Sequence, residues 1–400
     1  MQCNLQSNPE HQLKMRILLF IFLIFSCSLK KPIVFKEANH LKTGAEQTNL
    51  YVNLLKTKRV GMVVNHTATI GKTHLVDSLI KLKINIVKIF GPEHGFRGTA
   101  DAGEHVNSSK DVKTGIEVVS LYGKNAKPTK EQLADLDVVI FDIQDVGARF
   151  YTYISTMHLV MEACAENNKK LLILDRPNPN GHYIDGPILD RKFTSFVGMH
   201  PIPVVHGCTV AELAKMINGE GWLNNSLKCD LTVIPCKNYT HQTPYELPVP
   251  PSPNLPNKQA IALYPSLCFF EGTDVSIGRG TNKQFQVIGS QNFKKGDFQF
   301  TPEDKPGAKN PMNKGILCKG FDLSKISIES NLNIDYLIDF YSNSNKETFF
   351  KAAPFFDKLA GSSSLREQII QGKNSFQIKS TWSAGLEKYR LMRANYLIYQ

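Results

Sequence analysis

The stretch FGPEHGFRGTADAGE, Phe90–Glu104, gathers two glutamates, a histidine, an arginine, an aspartate and four glycines directly after the largely apolar run Ile86–Phe90. Its glycines break any regular element, and its charges would be costly to bury unpaired, so it is expected to be a loop. Similar polar residues end three other apolar runs: Asn65 and His66, then Asp142, Gln144 and Asp145, then Asp175 and Arg176. Carboxylates meeting in a crevice suit the hydrolysis of glycosidic bonds. One acid protonates the leaving oxygen while a second group attacks or activates water. Glu93 is the first choice for the acid, because Gly95 and Gly98 allow a substrate to approach the backbone beside it.

Other chemistries find no support. IGKTH, Ile70–His74, looks like part of a phosphate loop, but His66 stands where that motif needs its first glycine. GRGTN, Gly278–Asn282, lacks the GxGxxG spacing of a dinucleotide site, and no GxSxG elbow is present. The histidines show no HExxH spacing and the eight cysteines form no CxxC pair, so neither metal nor cofactor is expected. Cys164, Cys208, Cys229, Cys236, Cys268 and Cys318 are expected mostly as small core residues.

The elements that must hold these residues alternate. Strands are expected at Arg59–Asn65, Asn85–Pro92, Gly115–Gly123, Asp137–Asp145 and Lys170–Asn178. Between them fall helices at Thr73–Lys83, at Thr129–Leu136 with Thr129 as cap, and at Phe150–Asn168. Continuous Val/Ile/Leu strands alternating with helices predict an α/β fold whose parallel sheet is covered on both faces. Ligands of such sheets bind outside the carboxyl ends of the strands, where the polar residues above lie. The proline-rich Tyr245–Asn257 predicts an extended connection and a domain boundary. Beyond it, helices are expected at Asn333–Asn343, Leu365–Gly372 and Ser383–Tyr399. The expected division is 1–31 as signal and linker, 32–250 as the Rossmann-like domain and 251–400 as a smaller C-terminal domain.

The first 27 residues carry an export signal: Arg16, the apolar run Ile17–Phe25, Ser26 and Cys27. That run is too short to span a bilayer, which takes roughly 20 residues. Ile24-Phe25-Ser26-Cys27 resembles a lipoprotein cleavage site, so Cys27 is the expected lipid attachment and Met15 the expected start. A net charge of +11 favours anionic partners such as wall polymers. The basic residues are dispersed, and no nucleic acid is expected.

GPEHGFRG, SLYG, FDIQDVGARFYTYISTM, DRPNPNG, PPSPNLP and EGTDVSIGRGT together resemble the DUF1343 family, from about Val60 to the C-terminus. That family includes exo-β-N-acetylmuramidases of the NamZ type, which remove terminal N-acetylmuramic acid from the non-reducing end of peptidoglycan fragments. The resemblance implies a Rossmann-like domain joined to a smaller α+β domain, an active-site cleft between them, and a catalytic place for Glu93. It also departs in two places: Val249 replaces a frequent tryptophan, and Gln286 leaves no carboxylate at its position.

The lactyl carboxylate of such a sugar would favour a bidentate arginine, with Arg97, Arg149, Arg176 and Arg279 as candidates. Asn65, His94, Gln144, Tyr151 and Glu271 complete the expected substrate contacts. For the second catalytic group the sequence leaves Asp142 and Asp145 beside the loop residues Glu104, Glu271 and Asp274, or the substrate's own N-acetyl group. A wall-binding protein without catalysis is the competing expectation.

Overall fold

The computed structural model describes residues 40–93, 95–96 and 109–400. The stretch expected to be an export signal, with Cys27, and the residues His94, Arg97 and Glu104 lie outside the described residues.

Twelve strands are formed among the described residues, and seven of them make one sheet. These are β1 (Arg59–Val64), β4 (Asn85–Gly91), β5 (Ser109–Lys110), β6 (Glu117–Ser120), β7 (Val138–Asp142), β8 (Lys170–Leu174) and β9 (Leu231–Ile234). The order is β5-β6-β4-β1-β7-β8-β9, with β5 alone antiparallel. Leaving out that edge strand, the six parallel strands run 3-2-1-4-5-6 in chain order, the doubly wound arrangement. Its switch point lies between β1 and β7, where successive connections leave to opposite faces. β2 (Thr69–Ile70) and β3 (Thr73–His74) form a small hairpin after β1.

Both faces of the sheet are covered, which is why β7 is buried at all five positions rather than alternately. Met62, Ile140 and Leu172 pack on one face against Tyr51, Leu75 and Leu79. Val63, Phe141 and Ile173 pack on the other, in a core that continues without a break to Phe270, Phe340 and Tyr389. The residues after the proline-rich passage are therefore cored together with the sheet. They add an antiparallel sheet, β10 (Val287–Ser290), β12 (Cys318–Asp322) and β11 (Phe298–Phe300) in spatial order, and six helices between Asp335 and Ala394. Helices form at Asp335–Asn343, Ser364–Ile370 and Ser383–Ala394, close to the expected spans.

Local signals hold at several places. Thr129 and Gln132 form a reciprocal capping box ahead of helix Lys130–Leu133. The expected helix at Phe150 begins later, at Tyr153. All six cysteines of the described residues are free and buried, as core residues should be.

His158 of helix Tyr153–Glu166 forms a buried pair with His200. His200 Nε2 lies 3.0 Å from His158 Nδ1, and the His200 ring stacks on Trp222. Burial pushes both imidazoles below the usual value, His200 furthest. The fold thus prefers them neutral. The stability this contributes is present above the unfolded value of about 6.5 and is lost as pH falls below it. Urea midpoints taken at pH 7 and pH 5 should therefore separate less for His200→Phe than for the wild type; an unchanged separation would refute the assignment.

Candidate active site

Glu93 sits two residues beyond β4, in a turn closed by Gly95 N–H donating to Pro92 O at 2.9 Å. Gly95 has φ of +73°, a conformation that favours glycine and lets the chain reverse at this point. Two hydroxyls, one just after β6 and one at the start of helix Tyr153–Glu166, fix the carboxylate. Thr152 Oγ1 donates to Glu93 Oε2 at 2.7 Å, and the Tyr122 hydroxyl also hydrogen-bonds Glu93. Thr152 is the residue at which helix Tyr153–Glu166 begins, and it makes no side-chain cap bond there. Its hydroxyl serves Glu93 instead. Burial, then the Glu93 charge, pushes the Tyr122 phenol up to about 12.

These side chains open onto a cleft of about 360 Å³. One wall comes from the ends of β4, β6 and β7. The other comes from Ser252 and Asn254 of the proline-rich passage, from Tyr264, and from Glu271, Arg279 and Phe285. That passage is held without regular structure by two of its carbonyls and by the Asn254 side-chain amide. His66 Nε2 donates to Pro250 O at 2.8 Å, Tyr151 Oη to Pro251 O at 2.9 Å, and Asn254 Nδ2 to Gly307 O at 2.7 Å. Prolines have no N–H to pair, so acceptor bonds alone can anchor them. Tyr151 and Tyr153 meet edge to face at 4.9 Å, Tyr151 meets Tyr264 at 5.7 Å, and Tyr264 meets Phe285 at 5.0 Å, giving the cleft an aromatic lining.

Across from Glu93, Arg279 binds Glu271 Oε1 through Nε at 3.0 Å and Nη2 at 2.5 Å. Its guanidinium lies 5.1 Å over the Phe285 ring. Glu271 uses one oxygen for both nitrogens, so Nη1 remains for a ligand. Both side chains keep about a quarter of their surface exposed. Among the described residues, Glu93 and Glu271 are the two carboxylates that line the cleft.

The other expected site residues lie elsewhere. Asp142 is wholly buried and engaged by Arg176, Nε to Oδ1 at 2.5 Å and Nη2 to Oδ2 at 2.9 Å, with Nη2 also reaching Thr69 O. Strand β7 ends at Asp142, so the strand alternation expected to continue to Asp145 does not apply. Asp145 turns inward: Oδ2 accepts from Gly147 N at 2.6 Å, and His206 Nε2 stands 3.8 Å away. Gln144 Nε2 ties Asp145 O to Pro177 O, both at 2.8 Å. Asn65 Oδ1 accepts from the backbone and hydroxyl of Thr67. Arg149, expected to reach substrate, is fully buried and donates to Pro187 O, Ile202 O and Leu359 O at 2.7–2.9 Å. With no carboxylate partner among those bonds, burial brings its pKa down to about 9. Asp274 is held by Asn292 at 3.0 Å, and Gln286 accepts from Asn257 Nδ2 at 3.2 Å.

Asp175 has a different task. Tyr399 Oη donates to its Oδ2 at 2.6 Å and Ala211 N to its Oδ1 at 3.0 Å, while burial pushes its pKa up to about 7. Nearby, Glu212 Oε1 accepts from Ile398 N and His241 Nε2, so two buried carboxylates dock the residues around Tyr399.

The sequence matches the family model for the N-terminal region of the exo-β-N-acetylmuramidase NamZ over residues 60–259, and the C-terminal one over 262–399. The chain belongs to the NamZ family. It is 39% identical over 376 residues to the peptidoglycan β-N-acetylmuramidase NamZ of Bacillus subtilis strain 168, covering 87% of this chain and 89% of that protein. Crystal structures of two DUF1343 family proteins from Bacteroides fragilis have the same fold. One superposes with a TM-score of 0.84 at 51% identity over 90% of this chain and 99% of its own. The other gives 0.78 at 29% identity over 90% and 100%. Of the residues singled out in the sequence, Glu93, Tyr151, Glu271 and Arg279 line the cleft of this NamZ-family chain. Thr152, Tyr122, Ser252, Asn254, Tyr264 and Phe285 were not anticipated there. Tyr122 and Thr152 fall within SLYG and FDIQDVGARFYTYISTM, two of the segments that carry the family resemblance, but their service to Glu93 needed the topology.

Proposed function

We propose that this protein is an exo-acting glycoside hydrolase that releases terminal β-linked N-acetylmuramic acid from the non-reducing end of peptidoglycan fragments. The observation that carries this reading is Glu93, held by two hydroxyls at the mouth of an aromatic cleft that faces a carboxylate-paired arginine. Glu93 is the general acid that protonates the leaving glycosidic oxygen, and Thr152 and Tyr122 keep its carboxyl pointed into the cleft. The aromatic rings take the apolar faces of the sugar ring. Arg279 receives the lactyl carboxylate through its remaining edge, while Glu271 fixes its plane. The reading includes export to the cell envelope, with Cys27 lipidated.

The test is release of free sugar from a chromogenic β-N-acetylmuramide, set against the matching β-N-acetylglucosaminide, which lacks the lactyl group. Turnover of the muramide alone is expected. A folded protein that binds the muramide without turning it over would leave only a wall-binding role. Arg279→Gln should lower kcat/KM on the muramide by roughly 10–100-fold, the worth of one charged hydrogen bond. A variant that loses nothing on the muramide would remove Arg279 from lactyl recognition.

A further inference from the structure

A second cavity, of about 750 Å³, opens outside the carboxyl ends of β8 and β9. It is the larger of the two and contains none of the side chains that line the Glu93 cleft. Its size falls within the range of ordinary ligand sites, and its position at strand ends is where doubly wound folds bind ligands. The loop after β8 supplies His182 and Tyr183, the segment after β9 supplies Gln242 and Tyr245, and helix Lys258–Leu267 supplies Lys258 and Gln259.

The two cavities share a wall. Ser252, Asn254 and Leu255 line the cleft, whereas Asn257, Lys258 and Gln259, the next residues along, line the second cavity. The same division falls between Phe285 and Gln286. The passage that shapes the reaction cleft thus carries the second cavity on its other side.

The lining selects a ligand class. Its charged side chains are Glu246 and Glu329 against Lys258, and burial pushes His182 below its usual pKa, towards neutrality. A carboxylate-bearing peptide would meet an excess of negative charge. An apolar ligand would cover the amide of Gln242 without giving it a partner, whereas Gln259 and Gln286 are already held by Leu323 O, Ile326 O and Asn257. Deep in the wall, His241 is about nine-tenths buried; Nε2 is taken by Glu212, and Nδ1 has no hydrogen-bond partner among the described residues. Half-buried tyrosines beside side-chain amides suit the apolar face and the hydroxyls of a sugar.

We propose that this cavity is an accessory saccharide site that holds a single uncharged N-acetylglucosamine unit of the glycan strand while a chain end is processed at Glu93. The proposal rests on the glycan-hydrolase reading and extends it. A polymer held at two places meets the cleft at a raised effective concentration, whereas a single sugar gains nothing.

The test compares wild type with Tyr245→Ala and with Ala262→Phe, which fills the cavity from the helix. Activity is measured on the chromogenic muramide and on purified peptide-free glycan strands. In parallel, binding of a β-1,4-linked N-acetylglucosamine tetrasaccharide to Glu93→Gln protein is titrated calorimetrically with and without each substitution. We expect kcat/KM on strands to fall about tenfold with the muramide rate unchanged, and tetrasaccharide binding to weaken in parallel. Equal rates on strands for the wild type and both folded variants, or tetrasaccharide binding unaffected by either, would overturn the accessory site. Failure of the hydrolase reading shows itself separately, as absence of muramide turnover in the wild type, and tetrasaccharide binding remains measurable in that case.

Discussion

Glu93→Gln should lower kcat/KM on a β-N-acetylmuramide by about 10²–10⁴-fold while the protein stays folded. The amide has the shape of the carboxyl and still offers an oxygen to Thr152 and Tyr122, so the cleft is retained. It has no acidic proton to give, and the leaving oxygen would then depart unprotonated. Thr152→Ala serves as the graded control, since it frees the carboxyl from one donor but leaves its acid chemistry. The measurement is steady-state kinetics beside a thermal melt. A Glu93→Gln enzyme within a few-fold of wild type would move the acid to another residue of the cleft.

The largest effect on stability is expected at Arg176. Replacing it with leucine leaves the Asp142 carboxylate wholly buried without its partner, and breaking such a pair costs about 3–5 kcal/mol. Removing both charges, in Asp142→Leu/Arg176→Leu, should recover much of that loss, because neither side chain is then a buried lone charge. Urea unfolding of the two single variants and the double variant gives the cycle. A single-variant loss below about 1 kcal/mol would mean that water reaches Asp142 once the arginine is gone. Because Asp142 is committed to Arg176, the double variant should also keep its muramidase rate, provided that it folds.

The sequence carried the sheet well and the site only in part. Unbroken Val/Ile runs such as Val138–Phe141 announce strands buried on both faces, and the Thr129 cap announces a helix start, because these signals act within a few residues. Strand β9 and the cleft partners Tyr264 and Phe285 gave no comparable signal. Polar residues at strand ends were legible as a set, but their individual directions were not. Asp142 and Arg176 lie at the ends of adjacent strands, and the sheet order alone decides that they face each other instead of the crevice. Arg149 shows the same limit more sharply. It was one of four arginines expected for the lactyl carboxylate, whereas its three acceptors are backbone carbonyls from residues 38 to 210 positions away. Glu93 was legible as a cleft residue because it follows a strand end, where doubly wound sheets place their ligands, and has Gly95 beside it.

The buried guanidinium of Arg149 also bears on how divisible this protein is. The two family models part between residues 259 and 262, yet this cation, itself in the first stretch, takes Leu359 O from the second. Gly361, with φ of +82°, lies so close that a Cβ there would come within 2.8 Å of the guanidinium. A charge buried in this way tolerates neither a missing acceptor nor a bulkier neighbour. The boundary therefore separates two stretches of sequence but not two units of stability. Exchanging either half for that of a relative would carry along the obligation to rebuild the whole shell around one side chain.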